Sequence, residues 1–208
     1  MLWDYEKDTC ETYCTITESG FGLYNLGAIK YITRSPDGTR LVFGSNGYGD
    51  GMKILSLDDL SEIPLEREQS RGYANLVFNG NGKYIYGSSA EVNCVWDAAT
   101  GKMIYSSDAY DEIAVGYDGK TMIVTSPGYL GAADLDSGEM IWEIRSDSSM
   151  AVAVSLSPDG KYISADGGIS GIYDTLTGSQ LSESVGVAFS HDGSLMLVNP
   201  AQGTPSLD

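Results

Sequence analysis

The sequence is poor in the residues that build many active sites and cross-links. It has one histidine, His191, in 208 residues. A serine–histidine relay needs an imidazole beside its nucleophile, and histidine-rich metal sites need several, so neither is expected. There are three cysteines, Cys10, Cys14 and Cys94. An odd and sparse set does not make a disulfide framework. On one extended strand Cys10 and Cys14 would stand roughly 13 Å apart, beyond the limit of about 7 Å that a disulfide tolerates. Reduced thiols, and with them a cytoplasmic setting, are the expectation. No apolar run approaches the roughly 18 residues of a membrane span. Residues 1–6 lack the basic-then-apolar order of a signal peptide. Basic residues are also few, 12 against 29 acidic ones, for a net charge of −17. Such a surface repels nucleic acid and anionic membranes; it favours basic partners or cations, and it equally serves solubility or a salty environment.

Glycine (26) and tyrosine (14) are abundant, and hydrophobic residues make up 42% of the chain. This composition suits short strands and tight turns around a packed core. One turn type recurs as Ser35-Pro36-Asp37-Gly38, Asn79-Gly80-Asn81-Gly82, Tyr117-Asp118-Gly119, Ser157-Pro158-Asp159-Gly160 and Ser190-His191-Asp192-Gly193. Asp-Gly and Asn-Gly tolerate the positive φ that hairpin turns demand. Apolar or β-branched runs flank the turns, as in Ala74–Phe78 and Tyr84–Gly87. A second marker follows each hairpin: Asp97–Gly101, Asp134–Gly138 and Asp174–Gly178, with Leu57–Leu60 as a weaker first copy. Two markers with a shared period near 40 residues predict repeated four-stranded units. The second unit is expected at Ala74–Phe78, Tyr84–Gly87, Val92–Trp96 and Met103–Ser106. The third is expected at Glu112–Val115, Thr121–Thr125, Gly131–Asp134 and Met140–Ile144. Asp58–Arg67 is the best helical candidate, in place of an outer strand.

Val95-Trp96-Asp97 followed by Thr100-Gly101 resembles the third strand and turn of a tryptophan–aspartate (WD) repeat. Ile172-Tyr173-Asp174 followed by Thr177-Gly178 is similar to a degenerate copy, as is Leu2-Trp3-Asp4. The resemblance implies an all-β propeller of four-stranded blades over residues 1–199, with 200–208 as a tail. Two strands from each terminus, Leu2–Tyr5 and Glu11–Thr17 with Val185–Phe189 and Leu195–Val198, would complete a fifth blade. A fragment of a seven-bladed ring is the alternative. The family's Gly-His pair before each first strand is missing. Ala133–Trp142 is similar to the repeat of quinoprotein propellers, where the tryptophan packs between blades. Trp96, Asp97, Trp142 and Asp174 are accordingly expected to be structural.

The resemblance implies a non-catalytic scaffold that binds proteins, with no cofactor and no metal. Loops before the first strands carry Arg71, Tyr73, Asp108, Tyr110, Asp111 and Met150, which would offer contact area and acidic steering to a basic protein or peptide. Nucleic acid and membranes are not expected partners; a homo-oligomer is compatible with the sequence. The rival reading is a carbohydrate-binding propeller, or a glycoside-active enzyme using two carboxylates from Asp58, Asp59, Asp108, Asp111, Glu112, Asp134 and Asp136. The loop Asn46–Gly51 has a single carboxylate, too few for calcium.

Overall fold

The structure is a computed structural model that describes residues 2–4, 9–11, 29–45, 52–66, 74–88, 92–190 and 194–199. Every element in it is a strand. The first four-stranded sheet holds β3 (Ile29–Arg34), β4 (Arg40–Ser45), β5 (Lys53–Ser56) and β6 (Glu62–Pro64). The second holds β7 (Ala74–Phe78), β8 (Tyr84–Ser88), β9 (Asn93–Asp97) and β10 (Met103–Ser107). The third holds β11 (Glu112–Val115), β12 (Thr121–Ser126), β13 (Tyr129–Asp134) and β14 (Met140–Arg145). The fourth holds β15 (Val152–Leu156), β16 (Tyr162–Gly167), β17 (Gly171–Asp174) and β18 (Gln180–Ser182). Two-stranded ribbons stand outside them: β1 (Leu2–Asp4) with β2 (Thr9–Glu11), and β19 (Val185–Phe189) with β20 (Met196–Asn199). All pairings are antiparallel and join neighbours in the chain.

The turn chemistry accounts for these hairpins. Gly38, Gly82, Gly119 and Gly160 all adopt positive φ, and each N–H returns to the residue that opens its turn, Ser35, Asn79, Gly116 or Ser157. In the second marker, Asp97 Oδ1 accepts hydrogen bonds from the Ala99 and Thr100 N–H groups and from the Thr100 hydroxyl. Asp134 and Asp174 repeat the arrangement with Ser137 and Thr177. Asx turns of this kind satisfy backbone donors locally and set the chain's reversal.

The central sheets bury both faces, and alternation sorts their side chains between neighbours. Ile113, Val115, Met122 and Val124 of the third sheet pack towards Tyr84 and Val95 of the second. Ala114, Ile123, Leu130 and Ala132 pack towards Val152 and Ile163 of the fourth. Another seam joins Val42 and Ile54 of the first sheet to Leu76, Ile85 and Trp96 of the second. Each fully buried large aliphatic side chain stabilises the fold by about 1.5–3 kcal/mol. Polar staples reinforce the seams at the turns. The Arg40 guanidinium donates to the Gly82 and Ala98 carbonyls at 2.9 and 3.0 Å. Asn79 Nδ2 donates to the Gly116 carbonyl at 2.9 Å.

The expected closed propeller is corrected by this topology. The four sheets are discrete units, and among the described residues no sheet closes on itself. The β1–β2 and β19–β20 ribbons pair only within themselves, so the fifth blade that both termini were to share does not form among the described residues. The sheets are therefore not assigned as blades of a WD-repeat ring, whether five-bladed or part of a seven-bladed one. The physical reason is the range of the signals. Asp-Gly turns specify pairing across a few residues, whereas closure requires a pairing across nearly the whole chain, with its loop-closure entropy. The ribbons that would supply it are short, β1 and β2 having 3 residues each. The helical expectation for 58–67 also fails, since its described part forms a turn and the strand Glu62–Pro64. No helix among the described residues is long and apolar enough to cross a membrane.

Candidate ligand cavity

The first strands of the second, third and fourth sheets border a cavity of about 470 Å³. Its walls are Val77 and Phe78 of β7, Ile113 and Val115 of β11, and Val154 and Leu156 of β15, with Tyr86 of β8 between them. Burial pushes the Tyr86 phenol up to about 12, so it stays neutral at ordinary pH. Asn75, Ser88, Ser155 and Ser157 also line the cavity, together with two further acceptors, Asn93 and Glu112. Asn93, which opens β9, is buried and lines the cavity. Its Nδ2 donates to the Tyr110 carbonyl at 2.6 Å, which fixes the orientation of the amide. Its Oδ1 is buried and accepts no hydrogen bond from the described residues. Glu112, which opens β11 two residues after Tyr110, is the other. Solvent reaches it, yet partial desolvation, followed by the negative charge of Asp111, raises its carboxyl above the ordinary glutamate value. Among the described residues no basic side chain pairs with it.

A second hollow, of about 320 Å³, lies between the third and fourth sheets and includes Asp118, Asp159 and Asp174. Those carboxylates already accept hydrogen bonds within their own turns. Hydrogen bonds from the Thr177 hydroxyl and N–H hold the Asp174 carboxyl below the usual range. These acids are therefore occupied in shaping the chain, in contrast to Glu112.

The residues singled out in the sequence disperse. Arg71 and Tyr73, the loop Asn46–Gly51 and His191 lie outside the described residues. Asp108 and Asp111 are exposed in the connection between β10 and β11. Tyr110, in the same connection, stacks on Tyr129 at 6.2 Å between ring centroids. Met150 is exposed before β15, where its carbonyl accepts from the Gly128 N–H. Trp96 is wholly buried in the seam between the first and second sheets, and its indole N–H donates to the Glu66 carbonyl at 2.7 Å. Trp142 is half-buried against the seam of the third and fourth sheets and donates to the Thr175 carbonyl at 3.0 Å. Asp97 and Asp174 cap their turns. Sequence reasoning missed Asn93 altogether. A lone asparagine at the start of a strand carries no motif, and only the partnerless Oδ1 marks it.

The paired-carboxylate and scaffold readings both lose their basis. Among the described residues no three His, Cys, Asp or Glu side chains gather as metal ligands would. Asp59 accepts from the Ser61 N–H and hydroxyl, and Asp134 is engaged by Ser137. Without a closed ring, neither the WD-type scaffold nor the sugar-binding propeller has the frame it requires. No family model matches the chain, and no curated protein matches it either.

Proposed function

We propose that this protein is a non-catalytic, cytoplasmic receptor for a basic peptide segment, which it takes up at the cavity bordered by β7, β11 and β15. The carrying observation is the Glu112 carboxylate, which borders the cavity with no basic partner among the described residues. A cation brought by a partner would neutralise it, and the charge of −17 would steer that partner inward. The same charge disfavours nucleic acid and anionic membranes. The acids of the adjoining connection, Asp108 and Asp111, extend the negative field at the Glu112 end of β11.

Fluorescence anisotropy with labelled basic, neutral and acidic peptides at physiological salt tests the reading. Basic peptides should bind, and their affinity should fall as salt rises. Affinity should also fall with acidification. The Glu112 carboxyl titrates above the ordinary glutamate value, so a lowered pH protonates it and removes the anion that the cation needs. Equal binding of acidic and basic peptides would sink the proposal.

A further inference from the structure

The cavity runs along a strand edge. It touches Val154, Ser155, Leu156, Ser157 and Pro158 in unbroken succession. A sheet face presents only alternate residues, so this contact is with the open edge of β15. Among the described residues β15 pairs with β16 alone. The Gly168 N–H donates to the Ala151 carbonyl and the Ser157 N–H to the Tyr162 carbonyl, which fixes the phase of that ladder. Ala153 and Ser155 then turn their main-chain groups to β16, while Val154 and Leu156 turn theirs to the cavity. Val154 and Leu156 are half-buried, and no described residue bonds their N–H or C=O on that side. Main-chain groups held partly away from water need partners, and alternating donors and acceptors at strand spacing are matched by another extended main chain. We propose that the basic segment is taken up as an added strand, its main chain bonding Val154 and Leu156 along the free edge of β15. This rests on the receptor reading above and specifies how the segment is held.

The neighbouring strands decide both the edge and the direction of entry. β11 lines the cavity too, yet Ile113 and Val115 are buried, so its main chain is covered. β7 has a register shift between Ala74 and Val77, with Asn75 at φ 56°, which breaks the regular spacing a partner strand needs. β15 keeps one register along its whole length. The turns that follow the three strands meet and shut one end of the cavity. A Cβ on Gly80 would stand 2.6 Å from the Pro158 carbonyl oxygen and 2.9 Å from the Tyr117 ring. β11 and β15 both run towards that end, so Glu112, exposed at the start of β11, stands at the other. The strand therefore enters past Glu112, which meets its positive charge, and stops at Pro158. The volume of about 470 Å³ lies within the range of about 300–1,000 Å³ that ligand sites occupy. Main-chain pairing reads extension rather than sequence, so varied basic segments fit, and those with proline at a pairing position do not.

The test is a nuclear magnetic resonance titration of the full chain, labelled on amides. The probes are the pentapeptide acetyl-Thr-Val-Thr-Val-Lys-amide and its reversed order, which cover both strand directions. Each is also made with N-methyl groups on alternate amides, in the two phases that a strand allows. The parent peptide should shift the Val154 and Leu156 amides saturably and slow their hydrogen exchange at least about tenfold, because free donors become paired. Methylation in one phase should weaken binding at least about tenfold, and in the other by less than about twofold, since only one set of amides faces β15. Val154→Pro removes a cavity-facing donor without touching the β16 ladder and should weaken binding about tenfold. If that variant does not fold, the methylated peptides decide alone. Equal effects of the two phases overturn the inference. So do unchanged exchange at Val154 and Leu156 in the saturated complex, or a folded Val154→Pro protein that binds as well as the parent. Each of those results leaves a basic segment still bound somewhere, whereas no response to either peptide defeats the receptor reading as well.

Discussion

The seam between the first and second sheets and the seam between the third and fourth solve one packing problem in different ways. The former has the better core. Trp96 is 0% exposed there, among Val42, Ile54, Leu76 and Ile85. It also has the poorer turn. Where the later sheets place Gly101, Gly138 and Gly178 at φ near +70°, the first sheet places Leu60 at φ 59°. Ser56 there occupies the position of Asp97, since Ser56 N–H bonds to Ser61 as Asp97 N–H bonds to Lys102. In the latter seam both turns close on glycine and the tryptophan is less buried. Trp142 is only half-buried, but Gly178 lies so close that a Cβ would stand 2.7 Å from the indole ring. Gly101 makes the matching approach in the former seam, against the Pro64 carbonyl, so the seams share that glycine turn and differ in the burial of the tryptophan and in the Leu60 turn of the first sheet.

Four substitutions probe this contrast. Trp96→Ala empties a fully enclosed site and orphans the Glu66 carbonyl, so it should cost about 3–5 kcal/mol in a denaturant titration. Trp142→Ala should cost roughly half as much, because solvent already reaches the ring. Equal losses would erase the distinction between the seams. Gly178→Ala should cost about 1–2 kcal/mol, from the left-handed backbone and the collision with Trp142 together. Combining it with Trp142→Ala should recover the part due to collision, which a double-mutant cycle reads directly. The smallest effect has the opposite sign. Leu60→Gly should stabilise the protein by about 1 kcal/mol by relieving the left-handed strain. Loss of stability there would mean that the partly exposed Leu60 side chain contributes packing that outweighs the backbone.

The strands were legible because their signals are local. Ala74–Phe78 and Glu112–Val115 form where the apolar runs end at Asn-Gly and Tyr-Asp-Gly turns, and the other strands of the second and third sheets shift by two residues at most. The tryptophan–aspartate motif was read correctly as strand and turn and wrongly as a sign of closure, since Trp96 and Asp97 act only on their immediate surroundings. Where 58–67 is the best helical candidate of the sequence, the strand Glu62–Pro64 forms instead because β5 offers it a paired edge. The candidate site was barely legible. Glu112 stood among seven carboxylates with nothing to distinguish it, and its isolation from bases is a property of three sheets meeting. Asn93 becomes notable only once its amide nitrogen is committed to Tyr110.

The turn staples have a thermodynamic consequence of their own. Arg40 ties the first sheet to the second, and Asn79 ties the second to the third. With pairing among the described residues confined to chain neighbours, each sheet shares most of its packing free energy with the sheets beside it, as in a lattice of coupled units. Protection of backbone amides against deuterium should then grade with the number of flanking units. The second, third and fourth sheets, held from both sides (the fourth by the β19–β20 ribbon, whose Gly186 carbonyl accepts from the Ser164 hydroxyl), should exchange slowest. The first should open ahead of them, and severing the Arg40 staple should speed exchange in β3–β6 while leaving β11–β14 at its original rate.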